Sequence, residues 1–152
     1  MPVYFYSNLQ EYGCFSNFSP HGLELDGRWW PTSEHYFQAQ KFAGTDHEEA
    51  VRRSRTPKDA ADMGRQRHRP LRPDWESIKE DVMRRAVLQK FTQHADIRDT
   101  LLATGDEPIV ENAPGDYYWG CGADGTGKNR LGAILMEVRE KLRQPPADGS
   151  GG

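Results

Sequence analysis

Cysteine is nearly absent from this 152-residue chain: Cys14 and Cys121 are the only two. Two cysteines build no disulfide framework, and alone they cannot form a cysteine zinc site. The five histidines show no ligand-like spacing, so no metal and no cofactor is expected. Long apolar runs are missing as well. Hydrophobic residues make up 36% and charged residues 28%, and the mean hydropathy is −0.88. That excludes a hydrophobic membrane span and leaves a polar, globular composition. The opening Met-Pro-Val-Tyr-Phe-Tyr has neither a basic region nor a hydrophobic segment of a secretory leader, so a cytoplasmic location is the expectation. No internal repeat and no membrane partner is indicated. The length suits one domain, placed at 1–143, with the Pro-, Gly- and Ser-rich 144–152 as a disordered tail.

What the chain does contain is concentrated in residues 31–41, Pro-Thr-Ser-Glu-His-Tyr-Phe-Gln-Ala-Gln-Lys. Thr32 or Ser33 can cap a helix there. Glu34 then stands in the first turn, where the helix dipole favours a carboxylate. Glu34, Gln38 and Lys41 fall at i, i+4 and i+7 and share one face, while Tyr36 and Phe37 point elsewhere. An acid, an amide and an amine on one face equip a cavity; facing water they are an ordinary solvated surface.

The net charge of −3 hides an uneven distribution. Arg52, Arg53, Arg55, Lys58, Arg65, Arg67, Arg69 and Arg72 face only Asp59 and Asp62 within their segment, a local charge of +6. Such a patch suits a phosphate-bearing partner, a nucleotide or a nucleic acid; it equally suits a solvated helical surface.

The pattern of elements reads as α+β. Short strands are expected at Val3–Tyr6, 109–112 and 117–119, and a hairpin over Leu23–Trp30 turns at Asp26-Gly27. Helices are expected at about 33–43, 46–54, 58–66, 74–91 with Asp74 as cap, 96–103 and 128–142. The glycines at 120–127 nearly match two nucleotide-binding motifs, but Asn129 stands where a P-loop needs Ser or Thr, and one helix is all that follows. A glycine-rich turn before a helix N-terminus could still bind phosphate, or its glycines could simply serve tight turns.

Taken together, Phe15-Ser-Asn-Phe18, Ser33-Glu-His-Tyr36 with Gln38 and Gln40-Lys41, Lys58, Gly64-Arg65, Asp74-Trp75, Val82-Met83, Lys90-Phe91, Glu111, Asp116 through Gly120, and Gly127-Lys-Asn-Arg-Leu-Gly132 with Leu135-Met136 resemble the YbiA-like, or NADAR, family. The resemblance runs from about residue 5 to 142. It implies a compact, mostly helical α+β fold without metal, and cleavage of N-glycosidic bonds between a ribose and a base-like amine. Ribosylamino-pyrimidine phosphates of the early riboflavin pathway and ADP-ribosylated guanine are the substrate types it implies. The partner would be such a small molecule or an ADP-ribosylated nucleic acid. The family's functional residues would fall on Glu34, Trp75, Asp116 and Trp119, with Lys41 a further candidate. The loop Gly120-Cys-Gly-Ala-Asp-Gly-Thr-Gly127 is the visible departure.

The residue chemistry is compatible with that assignment. Breaking a C1′–N bond builds positive charge on the ribose, which a carboxylate stabilises or answers by activating water. The catalytic candidates are therefore Glu34, Asp116 and Lys41. Lys41 could hold phosphate or attack the opened sugar as an amine. Asn17, Trp75, Trp119, Gly120 and Asn129 are the substrate-binding candidates. Trp75 and Trp119 suit base stacking or core packing, Asn17 a ligand contact or an Asx turn, and Asp116 catalysis or turn chemistry. Glu111 is either a buried ion-pair partner or a site acid. The alternative to an enzyme is a non-catalytic ADP-ribose or NAD-binding module.

Overall fold

The computed structural model describes residues 1–144. Apart from Gln144, the expected tail lies outside them. Among the described residues, six α-helices pack around two small two-stranded sheets. Strand β1 (Val3–Phe5) runs parallel to β4 (Ile109–Glu111), with Val3 opposite Ile109 and Phe5 opposite Glu111. Strands β2 (Leu23–Leu25) and β3 (Arg28–Trp30) form the expected hairpin. Asp26 and Gly27 both have positive φ, 56° and 79°, the geometry a two-residue hairpin turn requires.

Helix α1 (Ser33–Gln40) is the central element. Thr32 is its cap, its hydroxyl accepting the His35 N–H at 3.1 Å. Ser33 does not cap; it donates its hydroxyl to Asn17 Oδ1 at 2.9 Å. All eight residues of α1 are buried. Helices α2 (Asp46–Arg52), α3 (Pro57–Gly64) and α4 (Trp75–Gln93) pack on it, together with β3. Helix α5 (Ala95–Ala103) leads into β4, and α6 (Arg130–Arg143) closes the fold against α4 and β4. Val82, Met83, Ala86, Val87 and Phe91 of α4, with Leu131, Ile134, Leu135 and Val138 of α6, belong to one buried cluster that also includes Phe5, Phe15 and Phe37. Fully burying each of its larger side chains contributes about 1.5–3 kcal/mol.

Three expectations need correction. First, residues 117–119 form no strand. The Asp116 carboxylate accepts the backbone N–H groups of Tyr118 and Trp119 at 3.0 and 2.8 Å, which bends the segment. Its carbonyls then cap α6: Tyr117, Tyr118 and Trp119 accept the N–H groups of Lys128, Arg130 and Leu131, and Gly120 accepts that of Asn129, all between 2.9 and 3.0 Å. Second, of the two readings of the glycine-rich turn, the tight-turn one is favoured over a phosphate site, because the N–H groups of Lys128, Asn129, Arg130 and Leu131 at this helix start are already taken by carbonyls. Third, Asp74 occupies the N-cap position of α4 without capping it; Arg72 holds its carboxylate at 2.6 and 3.1 Å.

Candidate active site

The polar face of α1 meets a cavity of about 430 Å³ rather than open solvent. Glu34, Gln38 and Lys41 line it together with Phe37 of the same helix. Asn17 and Phe18 form a second wall, Arg65 just past α3 a third, and Glu111, Asp116 and Trp119 close the side toward β4.

Each side chain is held by identifiable contacts. Asn17 fastens the start of α1: its carbonyl accepts the Glu34 N–H at 3.2 Å and its Oδ1 accepts the Ser33 hydroxyl. Gln38 donates its amide to Glu34 Oε2 at 2.7 Å, leaving its own Oε1 buried and without a partner. Lys41 Nζ donates to the Gly64 carbonyl at 3.4 Å and has no carboxylate within ion-pair distance among the described residues. Buried Lys90 of α4 donates to the Ser16 carbonyl at 2.9 Å and so supports the loop that carries Asn17 and Phe18.

Burial sets the protonation states. It pushes the Glu34 carboxyl above the usual carboxylate range, while the Gln38 amide and the Lys41 charge pull it back. Glu111 is pushed up to about 7, first by burial and then by the charges of Asp116 and Glu34. Lys41 is drawn down to about 8 by burial and by the neighbouring Arg67. Lys90 falls to about 7 through burial. Among the described residues no group of three His, Cys, Asp or Glu side chains is disposed to hold a metal ion.

The structure brings Asn17, Glu34, Lys41, Asp116 and Trp119 onto one cavity and leaves three candidates off its wall. Trp75 lies one layer behind: its ring meets Phe37 edge-on at 5.1 Å, and Lys41 Nζ is 5.9 Å from its centre. Gly120 is buried in the loop that caps α6. Asn129, in left-handed conformation at φ 52°, uses both ends of its amide on β4. Its Oδ1 accepts the Glu111 N–H and its Nδ2 donates to the Ile109 carbonyl, each at 2.9 Å. It reaches the cavity through Glu111, not by direct contact.

Glu111 itself has no ion pair among the described residues and faces the cavity, with Oε1 buried and unpartnered. Sequence reasoning missed Phe37, which sits on the cavity wall between Trp75 and Trp119. It also missed Lys90, a charge inside an apolar stripe; a lysine among residues spaced for the core was the signal that could have found it. The basic segment is partly offset: Arg52 and Arg53 share Glu49, Lys58 and Arg65 share Asp62, and Arg72 pairs with Asp74.

A family profile described as "NADAR domain" matches residues 4–143. The chain is 53% identical over 146 residues to a protein of Nostoc punctiforme named "N-glycosidase Npun_R5314", covering 94% of each. It is 54% identical over 140 residues to "N-glycosidase YbiA" of Escherichia coli strain K12, covering 92% of this chain and 88% of that protein. The NMR structure of the E. coli protein YbiA superimposes with a TM-score of 0.86 over 93% of this chain and 84% of that one, at 54% identity. A Vibrio vulnificus protein named "Riboflavin biosynthesis protein VVA0006" is 42% identical over 143 residues, 94% of this chain and 39% of that protein.

Proposed function

The chain belongs to the NADAR domain family and, on relatives that share 53% and 54% of its sequence over nearly full length, is an N-glycoside hydrolase; we propose that it cleaves the bond between C1′ of a ribose phosphate or ADP-ribose and a base-like amine. Ribosylamino-pyrimidine phosphates and ADP-ribosylated guanine are the two substrate types to consider.

The observation that supports this most is the convergence of Glu34, Glu111 and Asp116 on one cavity, none of them paired with a cation within ion-pair distance among the described residues. Carboxylates that are already in place, Glu34 and Asp116 above all, stabilise the positive charge that develops on the sugar as the C1′–N bond lengthens. A carboxylate-rich pocket without that role would only repel a phosphate ester. Lys41 supplies the opposite charge for the phosphate, with Arg65, which is also held by Asp62, on the neighbouring wall, and Trp119 an aromatic face. In the hydrolytic step the nitrogen leaves with the bonding electrons, water adds at C1′, and Glu34 takes the proton that the water releases.

A second reading of that step rests on Lys41. Its amine is drawn down to about 8 and lacks a carboxylate partner, the state in which a lysine attacks a sugar carbon to form an imine that water later hydrolyses. Both routes give free amine and a sugar with a 1-hydroxyl.

The test is incubation with a panel: a ribosylamino-pyrimidine phosphate, ADP-ribosylated guanine in an oligonucleotide, ADP-ribose and NAD, read by liberated base and sugar phosphate. Release from at least one N-riboside is expected. Tight binding with no turnover of any of them would replace the reading with that of a binding module.

A further inference from the structure

A second hollow of about 370 Å³ adjoins the cavity and shares Tyr6, Ser16, Phe18 and Glu111 with it as a common wall. The two spaces differ in chemistry. The first is lined by Glu34, Asp116, Lys41 and Arg65. The second has two aromatic rings, Tyr6 and Phe18, with the neutral Ser7 and Asn8, and no charged group except Glu111. A charged sugar phosphate fits the first lobe; a flat neutral heterocycle fits the second.

Glu111 stands at the seam. Its place is fixed twice, by the pairing of β1 with β4 opposite Phe5 and by the Asn129 amide on its N–H. Its Oε1 is buried and has no hydrogen-bond partner among the described residues. Resting on the N-glycosidase reading, we propose that the Tyr6–Phe18 lobe receives the leaving heterocycle and that Glu111 is the acid that protonates its nitrogen as the C1′–N bond breaks. The proton moves from the Glu111 carboxyl to the departing nitrogen, which keeps the bonding electrons. C1′ gains the oxygen of water, and solvent restores the proton on Glu111. The charged groups around the seam are Glu34 and Lys41 of α1, Arg65 past α3, Asp116 of the following loop and Lys90 of α4, which is bonded to Ser16. Burial and the charges of Asp116 and Glu34 keep the Glu111 proton in place to about pH 7, where a general acid serves best.

The experiment compares two ribose 5-phosphates, one carrying an aminopyrimidine, which needs a proton to leave, and one carrying p-nitrophenolate, which does not. The 152-residue chain is expected to turn over both. Glu111→Gln is expected to lower kcat/KM on the aminopyrimidine substrate about 100-fold and on the nitrophenyl substrate by less than about threefold, and to remove the fall in rate above neutral pH. Glu111→Asp, which keeps the proton, is expected to lie between Glu111→Gln and the parent. Free aminopyrimidine as product inhibitor is expected to bind about tenfold more weakly to Tyr6→Ala, and ribose 5-phosphate, whose lobe Tyr6 only borders, by less than about threefold. Equal losses of Glu111→Gln on both substrates, or none on the aminopyrimidine, would overturn the acid role. Equal weakening of both inhibitors by Tyr6→Ala, or of neither, would overturn the lobe assignment. A parent chain inert toward both ribosides would instead remove the N-glycosidase reading, and the proposal with it.

Discussion

Gly64 leaves the space that the Gln38 amide occupies: a Cβ at position 64 would stand 1.9 Å from Gln38 Oε1 and 3.3 Å from Lys41 Nζ. Gln38 in turn holds Glu34 at 2.7 Å. A glycine at the end of α3 thus governs the alignment of a carboxylate on α1.

Gly64→Ala separates folding from alignment. Alanine suits the end of a helix better than glycine, and the obstructing atom is the tip of a flexible side chain, which can swing away at small cost. The expected outcome is a thermal midpoint within a few degrees of the parent and a kcat reduced roughly 10- to 100-fold, since displacement by about 1 Å has that effect. Unaltered turnover would show that Gln38 does not align Glu34.

Glu34→Gln keeps the shape and hydrogen-bonding reach of the side chain and removes its charge. Turnover is expected to fall by about 10²–10⁴ while the substrate Kd changes little. Calorimetry or fluorescence with the inactive variant measures the binding. A kcat equal to that of the parent removes Glu34 from the mechanism.

Lys41 decides which nucleophile first meets C1′. An amine titrating at about 8 must lose its proton to attack, so an imine route gains rate as pH rises through about 8. The imine route predicts a reduced sugar on Lys41, visible by intact mass, when borohydride is added during turnover, and an inactive Lys41→Arg, which keeps charge but not nucleophilicity. An unmodified mass together with an active Lys41→Arg would assign the first attack to water.

The basic segment offers a polyanion less than its composition implies. Arg55, Arg67 and Arg69 are its cations without a carboxylate partner among the described residues. An oligonucleotide bearing ADP-ribosylated guanine is expected to bind more tightly than free ADP-ribose at low salt. The log–log slope against salt should be no steeper than about −2, the value for three single-strand phosphates. Equal affinities at low salt would rule out a nucleic-acid track.

What was legible in the sequence followed local rules. Helical spacing put Glu34, Gln38 and Lys41 on one face, and Asp26-Gly27 marked the hairpin. Whether that face met a cavity was not legible, because α2, α3 and α4 had to be packed first. Tyr117-Tyr-Trp119 looked like a strand by composition; a distant helix start claimed its carbonyls instead. Asn129 was read at the start of the last helix and as a substrate-binding candidate, 18 positions from Glu111, and nothing local announces that its amide straps β4. The pairing of Arg52 and Arg53 with Glu49, and of Arg72 with Asp74, came from acids just outside the segment that was counted.

The parallel pairing of β1 with β4 has a consequence for biosynthesis. A nascent chain that has reached only about residue 105 already carries Asn17, Glu34, Lys41 and Arg65, yet it lacks Glu111, Asp116, Trp119 and the partner strand that fixes β1. Contacts between positions more than 100 residues apart must wait until both have been made, and they close slowly. The glycosidic bond therefore meets its full set of carboxylates only once β4 and the loop behind it have left the ribosome, and a chain cut short before them carries no premature hydrolase.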